Sequence, residues 1–470
     1  MSVQRILEPT GHNSDKSKFE RIWDQIPNGF SFRRERVELF DSDNLVAYSP
    51  IEYHIHPLAT EYNQYSDDDL IADVVAFVRD EFGGPHTPVQ DRLSGPPNIV
   101  GRELTGVAVL NDYLAEVEDT FVYGPYASSL RPPVVSGIAV GEYIHKVLSD
   151  SKLGNPANRT GIAVQEFATT IASSLSSQER LCFVMLGFPF KDQNPTRCNA
   201  PAHHVDFADV GLLCQLHLQA LCFFQGHPFG SDFIILSDGK LYADIFGIDV
   251  SHVTQYLEKL RFWRNALNLQ GSVHIVDLEE CIYRLPETEL ERFDEMRDRV
   301  KTLLLDARRV RESAVLHGAM YSLVAGMKRN VNSSDLLKDE PWDVKVGIIY
   351  GDGKSPDPAI HRLERQLTAR ASSAAAAYAA TNVALRRHGV VQRVFENARR
   401  ATIHPKPGQI GVPRNGTVYP WNGVGVFDPG GRFPDIIKAR PLGELDGLAS
   451  EWIAGFVPGD EYPSYYRRAE

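Results

Sequence analysis

Residues 183–191, FVMLGFPFK, and residues 233–244, FIILSDGKLYAD, each open as a short apolar run and end abruptly in glycine, proline and charged side chains. An apolar run of this length between turn signals reads as a strand buried on both faces, the kind a parallel sheet uses. Two such runs that stop at Lys191 and at Asp238 place a site at the edge of a sheet.

The flanking sequence extends the pattern. It predicts helices over 137–149 and 161–175, a strand over 181–187, a helix within 204–225 and a strand over 232–237. A tight turn at Ser237–Lys240 then leads into a strand over 241–246, a helix over 251–268 and a strand over 272–276. Alternating helices and strands of these lengths predict an α/β fold, a Rossmann-like mainly parallel sheet flanked by helices, with the 237–240 hairpin adding one antiparallel strand. Residues 287–330 and 357–388 read as helical, the latter rich in alanine, and 391–445 as short strands between glycines and prolines. Upstream, FRRERVELF and NLVAYSPIEYHIH look strand-like. SDDDLIADVVAFVRDEF (66–82) looks helical, with a serine cap, three aspartates in its first turn and Leu70, Val74, Phe77 and Val78 on one face. The expected organisation is therefore an additional N-terminal α+β module (1–132), a catalytic domain (133–445) and a C-terminal tail (446–470), with the first boundary near Arg131–Ser136.

The chain has 470 residues and a net charge of −12, and no Lys/Arg stripe interleaved with aromatics, which disfavours a nucleic-acid partner and points to small metabolites. Five cysteines without CxxC spacing read as reduced thiols. No apolar stretch approaches the ~18–20 residues of a membrane span, and MSVQRILEPTGHNSDKSK lacks the apolar core of a signal peptide, so a cytoplasmic protein is expected.

Each site candidate has an ordinary structural reading beside a functional one. Lys191, after Phe190 at a strand's carboxyl end, is either a surface lysine or an ammonium for phosphate, carboxylate or imine chemistry. Ser237-Asp238-Gly239 is an ordinary turn unless Asp238 works. Asp244, in a strand and sharing a face with Tyr242, is a carboxylate that needs a partner or a task. Asp206 and Asp209, at i and i+3 of a helix start, suit capping. His203 and His204 lie near Cys198, Cys214 and Cys222 without a standard zinc spacing, and His54 and His56 fit a strand as readily as a metal. Arg399, Arg400, His404 and Lys406 concentrate positive charge and one imidazole, suited to an anion or to a solvated turn. Trp421 either walls a pocket or packs in the core, beside Asn422.

In order, GFPFK, an acidic helix start, SDGKLYAD followed by IDVSHVTQYLEKL, then ATIHPKP and YPWNGV resemble the pyoverdine/dityrosine biosynthesis family, which includes the isonitrile synthases, over roughly residues 136–430. The chain departs from that family's pattern at Asp192, where serine commonly follows the lysine, and at Asn422, where PWH is usual. A third departure is Val205, Asp206 and Asp209 against PDxxE. A fourth lies in Tyr321–Lys328, which only dimly echoes a Tyr-Arg-Gly-Phe-like segment.

The resemblance implies an enzyme that joins the α-amino group of an amino acid, aromatic favoured, to the ketone of ribulose 5-phosphate and then fragments the sugar. One carbon is left on nitrogen as an isonitrile or, in the dityrosine branch, as a formyl group. Lys191, Asp238, Asp244 and His404 are then the expected catalytic residues. Phe190, Ser237, Tyr242, Arg399, Arg400, Trp421 and Asn422 are the expected substrate contacts, and Lys191→Ala should abolish turnover in an intact fold. The resemblance implies no organic cofactor, and the sequence agrees, since neither GxGxxG nor a P-loop occurs at a strand-to-helix junction. No metal is expected either, although His204-Val205-Asp206 formally spells an iron-binding HxD. Downstream partners would be an iron/2-oxoglutarate oxygenase or a cytochrome P450. The rival readings are another amine/sugar-phosphate condensation and a non-catalytic binder of amino acid or sugar phosphate.

Overall fold

The computed structural model describes most of residues 65–82, 98–104, 136–306 and 357–469. Positions 1–64, 192–197, 307–335, 404, 406, 414–417, 428–434 and 438–450 are among those it does not describe. His54, His56, His404, Lys406, Asp192 and the strands expected before residue 65 therefore lie outside the described residues.

In chain order the elements are α1 (Asp67–Phe82), β1 (Asn98–Leu104), α2 (Gly137–Leu148), α3 (Val164–Ser176), β2 (Leu181–Leu186), α4 (Phe207–Phe224), β3 (Ser231–Ser237), α5 (Gly239–Phe246) and α6 (Val250–Ala266). They continue with β4 (Val273–Asp277), α7 (Leu278–Tyr283), α8 (Glu287–Leu305), α9 (Pro358–Arg387), α10 (Val390–Val394), β5 (Ala398–Thr402), β6 (Ile410–Gly411), β7 (Val424–Phe427), β8 (Asp435–Ile437), β9 (Glu451–Phe456) and β10 (Tyr465–Arg468).

Strands β4-β3-β2-β5-β6, in that spatial order, form a sheet in which every pairing is parallel. Side chains alternate across it. Phe183, Met185, Phe233 and Ile235 pack with α2, α3, α4 and α6 on one face. Val184, Ile234, Leu236 and Val276 pack with α1, α7, α8 and α9 on the other. Both faces are covered, which is why FVML and FIIL are apolar throughout. The strand order runs outward from β2 to β4 and then restarts on the other side of β2 with β5. The carboxyl ends of β2 and β5 therefore flank the switch point, where open α/β sheets have their crevice.

Sequence and structure differ at several places. Residues 241–246 are helical: Leu241 and Ile245, like Tyr242 and Phe246, are spaced i, i+4, and Gly247 at φ 69° ends the helix. Local alternation mimicked a strand there, so the expected hairpin and antiparallel strand do not exist. The expected tail contains β9 and β10, which join β1, β7 and β8 in a second, mixed sheet ordered β1-β9-β10-β7-β8. Upstream of residue 133, α1 packs on the parallel sheet's second face and β1 pairs with β9. The chain on both sides of the expected boundaries is thus woven into shared cores. Finally, α4 is 18 residues long and apolar enough to cross a membrane by composition, against the expectation, but 94% of it is buried inside the fold. It is apolar because it is packed between the sheet and α6, α2 and β7.

Candidate active site

Beyond β2 the chain turns sharply at Phe188, a non-glycine residue with φ 54°. This left-handed conformation costs on the order of 1 kcal/mol or more and needs surrounding contacts to hold it. They are present: the Phe188 ring is fully buried 5.1 Å from the Trp421 ring, and its carbonyl accepts the Ser237 hydroxyl at 2.9 Å. Gly187 lets the Trp421 ring lie close, since a Cβ there would come within 3.0 Å of it. Ser237 and Trp421, expected to contact substrate, are thus buried supports of the turn after β2.

The turn delivers Lys191 to a completely buried position. Its ammonium donates to Asp209 Oδ2 at 2.9 Å and to the Pro420 carbonyl at 2.8 Å, and lies 2.8 Å from Asp206 Oδ1. An ammonium has three protons and no acceptor, so these three partners saturate it. Burial by itself would favour the neutral amine, but the charges of Asp206 and Asp209 outweigh it and hold Lys191 above its ordinary pKa. An amine that stays protonated and fully bonded has neither the lone pair for an imine nor a spare proton for a phosphate. The surface-lysine reading fails because the side chain is completely buried.

Asp206 and Asp209 do cap α4 as expected. Asp206 Oδ1 accepts from Ala208 N at 2.9 Å, and Asp209 Oδ2 accepts from Asp206 N at 3.1 Å. The sequence did not reveal that they are also the counterions of Lys191. Burial raises both, Asp209 to about 6, against the opposing pull of Lys191. The remaining Asp209 oxygen, Oδ1, accepts the Tyr256 hydroxyl of α6 at 2.9 Å. Tyr256 gave no sequence signal beyond an apolar helical position. Beside this cluster the Cys198 thiol donates to the Trp421 carbonyl at 3.4 Å.

The second sheet closes the cluster from outside. At the turn between β9 and β10, Ser464 O accepts from Phe207 N at 2.7 Å and Pro463 O lies 3.0 Å from His204 Nε2. Burial, then the neighbouring Lys191 charge, pushes His204 down to about 4. His204 and Asp206 of the HxD sequence are thus committed to Pro463 and Lys191.

The SDG segment enters differently from the expected turn. Asp238 precedes α5, and a Cβ on Gly239 would lie 1.9 Å from the Pro189 carbonyl. Glycine is required here by the close approach of two backbones rather than by positive φ. Next to it, Lys240 pairs at 2.8 Å with the buried Asp277 at the end of β4. Burial works against its charge, but Asp277 wins and raises its pKa.

The other expected residues are dispersed. Asp244 is exposed on α5, so it is not a carboxylate stranded in a strand, and helical geometry puts it away from Tyr242. The Tyr242 hydroxyl accepts from Asn382 at 2.9 Å, and its ring is 4.7 Å from that of Tyr378. Phe190 is buried among Ala202, Ala243, Ile248 and Val253. Arg399 and Arg400 pair with Phe183 and Val184 in the body of the sheet. As neighbours in a strand they face opposite sides, and Arg399 donates to Ser174 Oγ at 2.8 Å. They do not form one anion clamp at the carboxyl edge. Asn422 is half-buried in a 3-10 turn, its N–H donating to the Tyr419 carbonyl.

Three of the segments that meet at Lys191 are the FPFK run, the acidic start of α4 and the PWN turn. The profile of the pyoverdine/dityrosine biosynthesis protein family matches residues 171–437, more than half of the chain and all five strands of the parallel sheet. The chain belongs to the pyoverdine/dityrosine biosynthesis family. In this family member three of the segments that carry the likeness converge on one buried ammonium, while β1, β9 and β10 lie outside the matched range. It is 24% identical over 320 residues to the L-tyrosine isonitrile synthase of Pseudomonas aeruginosa, covering 63% of this chain and 82% of that protein. The crystal structure of the PvcA protein from Pseudomonas aeruginosa matches it with a TM-score of 0.48 and 18% identity, over 70% of this chain and 99% of PvcA.

Proposed function

We propose that this protein is an isonitrile synthase, which condenses the amino group of an L-amino acid with ribulose 5-phosphate and keeps one sugar carbon on nitrogen. The observation that carries the reading is that three of the family's segments, the FPFK run, the acidic start of α4 and the PWN turn, meet at Lys191 beyond the carboxyl end of β2. The similarity to an L-tyrosine isonitrile synthase supports an aromatic amino acid as substrate.

The roles follow from the chemistry such a condensation demands: an anion site for phosphate, and acid/base groups for imine formation and carbon–carbon cleavage. Lys191, with its protons spent, is the buried anchor of the site's floor. Lys240, at the start of α5, partly exposed and paired with Asp277, is the proposed cation for the phosphate, and Asp238 before it the proposed group for proton transfer. His404, two residues after β5 in the sequence, is the proposed titratable imidazole. Neither an organic cofactor nor a metal is invoked for these steps.

Incubating the protein with ribulose 5-phosphate and the twenty amino acids, followed by mass spectrometry, tests this. Isonitrile formation adds a carbon and removes two hydrogens, a gain of ~10 Da on one amino acid, whereas formylation adds ~28 Da. Stoichiometric binding without any product would return the protein to the non-catalytic reading.

A further inference from the structure

We infer that Tyr256 is a positioning residue of this site: by holding Oδ1 of Asp209 it keeps the other carboxylate oxygen on Lys191, and so locks the Gly187–Lys191 turn against the Pro420–Asn422 turn. The inference rests on the proposed synthase reading, because the turn it locks forms the floor of that site.

The geometry supports it at each link. Asp209 is fully buried, and its two oxygens have separate tasks, Oδ1 on the Tyr256 hydroxyl and Oδ2 on the Lys191 ammonium. A carboxylate is a rigid plane, so a bond that fixes one oxygen fixes the direction of the other. Tyr256 has a single rigid place from which to do this, since it is fully buried on α6. Lys191 in turn ties its own loop to the Pro420 carbonyl, and Pro189 of that loop is the group against which Gly239 closes. A change at Tyr256 therefore reaches Asp238 and Lys240 through a continuous series of contacts, without Tyr256 touching substrate.

The network also makes a specific prediction about protons. The groups facing Asp209 are Lys191 from the loop, Asp206 from its own helix start, Tyr256 from α6 and the neighbouring His204. Cys198 faces Lys191 and Tyr256 from beside the cluster. With Asp209 ionised, two carboxylates grip the ammonium; protonated, one grip is lost. A phenolic O–H favours the ionised form, since it can donate to a carboxylate.

Tyr256→Phe keeps the ring and removes only the donor. Activity should then lose its acid side first, the acid limb of the pH–kcat profile moving up by about one unit, so that kcat at pH 6 falls about fivefold while kcat near pH 8.5 and both KM values change less than about threefold. In an Asp209→Asn background, Tyr256→Phe should add little. Thermal stability read from pH 4 to 8, without substrate, should show the same upward shift in its pH dependence. A uniform loss of kcat at every pH, or superimposable stability profiles for wild type and Tyr256→Phe, would overturn the inference. If the wild type makes no product from any amino acid, the synthase reading fails, and the stability profiles still decide whether Tyr256 governs Asp209.

Discussion

Removing the Lys191 charge is the most direct perturbation of the cluster. Lys191→Met keeps an unbranched stem of similar shape and deletes the ammonium, leaving Asp206 and Asp209, with 2% and 0% exposure, facing each other without a counterion. Breaking a buried ion pair from one side costs about 3–5 kcal/mol, because the surviving charge is stranded. For 470 residues unfolding together, an unfolding entropy of about 2.1 cal/mol/K per residue gives roughly 1 kcal/mol per degree, so Tm should fall by about 3–5 °C. The loss should depend on pH. Stranded carboxylates have a raised folded-state pKa, so their contribution to stability is fully present below the unfolded value near 3.8 and is lost as pH rises through the folded value. That value is already about 6 for Asp209 in the intact cluster and should rise further without Lys191. The deficit measured by calorimetry should therefore be small at pH 5, where the pair takes up a proton, and full at pH 8, and a second change, Asp209→Asn, should restore part of it at pH 8. Turnover should fall by about 10²-fold, the effect of displacing catalytic groups by roughly 1 Å. The expectation of an intact fold on removing Lys191 is thus replaced by one of a weakened fold. A deficit equal at pH 5 and pH 8, or a Tm unchanged at both, would refute the ion-pair reasoning.

Two further predictions probe the frame around the cluster. In Gly239→Ala the new methyl would sit 1.9 Å from the Pro189 carbonyl, so two backbones must part; overpacking of this kind costs about 1–3 kcal/mol and should lower turnover more than Tm, measured side by side. At the opposite, amino edge of the sheet, Arg180 grips Asp232 with bonds of 2.7 and 2.8 Å and His274 approaches it at 3.0 Å. Burial opposes ionisation of Asp232, but Arg180 prevails and lowers its pKa, so its contribution is present above the unfolded carboxylate value and lost only as pH falls through the lower folded one. Asp232→Asn should therefore cost about 1–3 kcal/mol at every pH above 5, discounted for the partly exposed Arg180, with kcat unchanged.

The parallel sheet was legible because burial on both faces writes itself into sequence as FVML and FIIL, and the helices between were legible from their periodicity. Residues 239–246 were not, since eight residues with Leu241 and Tyr242 followed by Ala243 satisfy both periods until the packing partner is known. The second sheet was illegible for another reason: β1 and β9 meet across more than three hundred residues, and nothing local announces such a pairing. In the site, Lys191 was found by its place at a strand end, but its state was not, because the charge of a lysine is decided by neighbours 15 and 18 residues away and by a carbonyl 229 residues away. Tyr256 was invisible because a tyrosine on the buried face of a helix is usually there for its ring. Arg399 and Arg400 misled because adjacent positions in a sequence are opposite positions in a strand.

The places where the chain departs from its family's pattern can be judged by what the cluster uses. At the PWN turn it uses the carbonyl of Pro420 and the ring of Trp421, which packs on Phe188. At residue 422 it uses only a backbone N–H, donated to Tyr419. Asparagine in place of histidine therefore leaves the Lys191 anchor intact and changes only what a half-buried side chain offers beside it. At the start of α4 an acid four residues after Val205 is retained as Asp209, one methylene shorter than glutamate. The shorter reach is met because Asp209 takes Lys191 and Tyr256 directly, each at 2.9 Å. Both departures spare the floor of the site. Asn422 is therefore the position where a change of substrate is to be sought, and Asn422→His should alter which amino acid is consumed, read in the same mass-spectrometric assay, while Tm stays within about 1 °C of the wild type. A fall in Tm comparable to that of Lys191→Met would show instead that residue 422 belongs to the anchor.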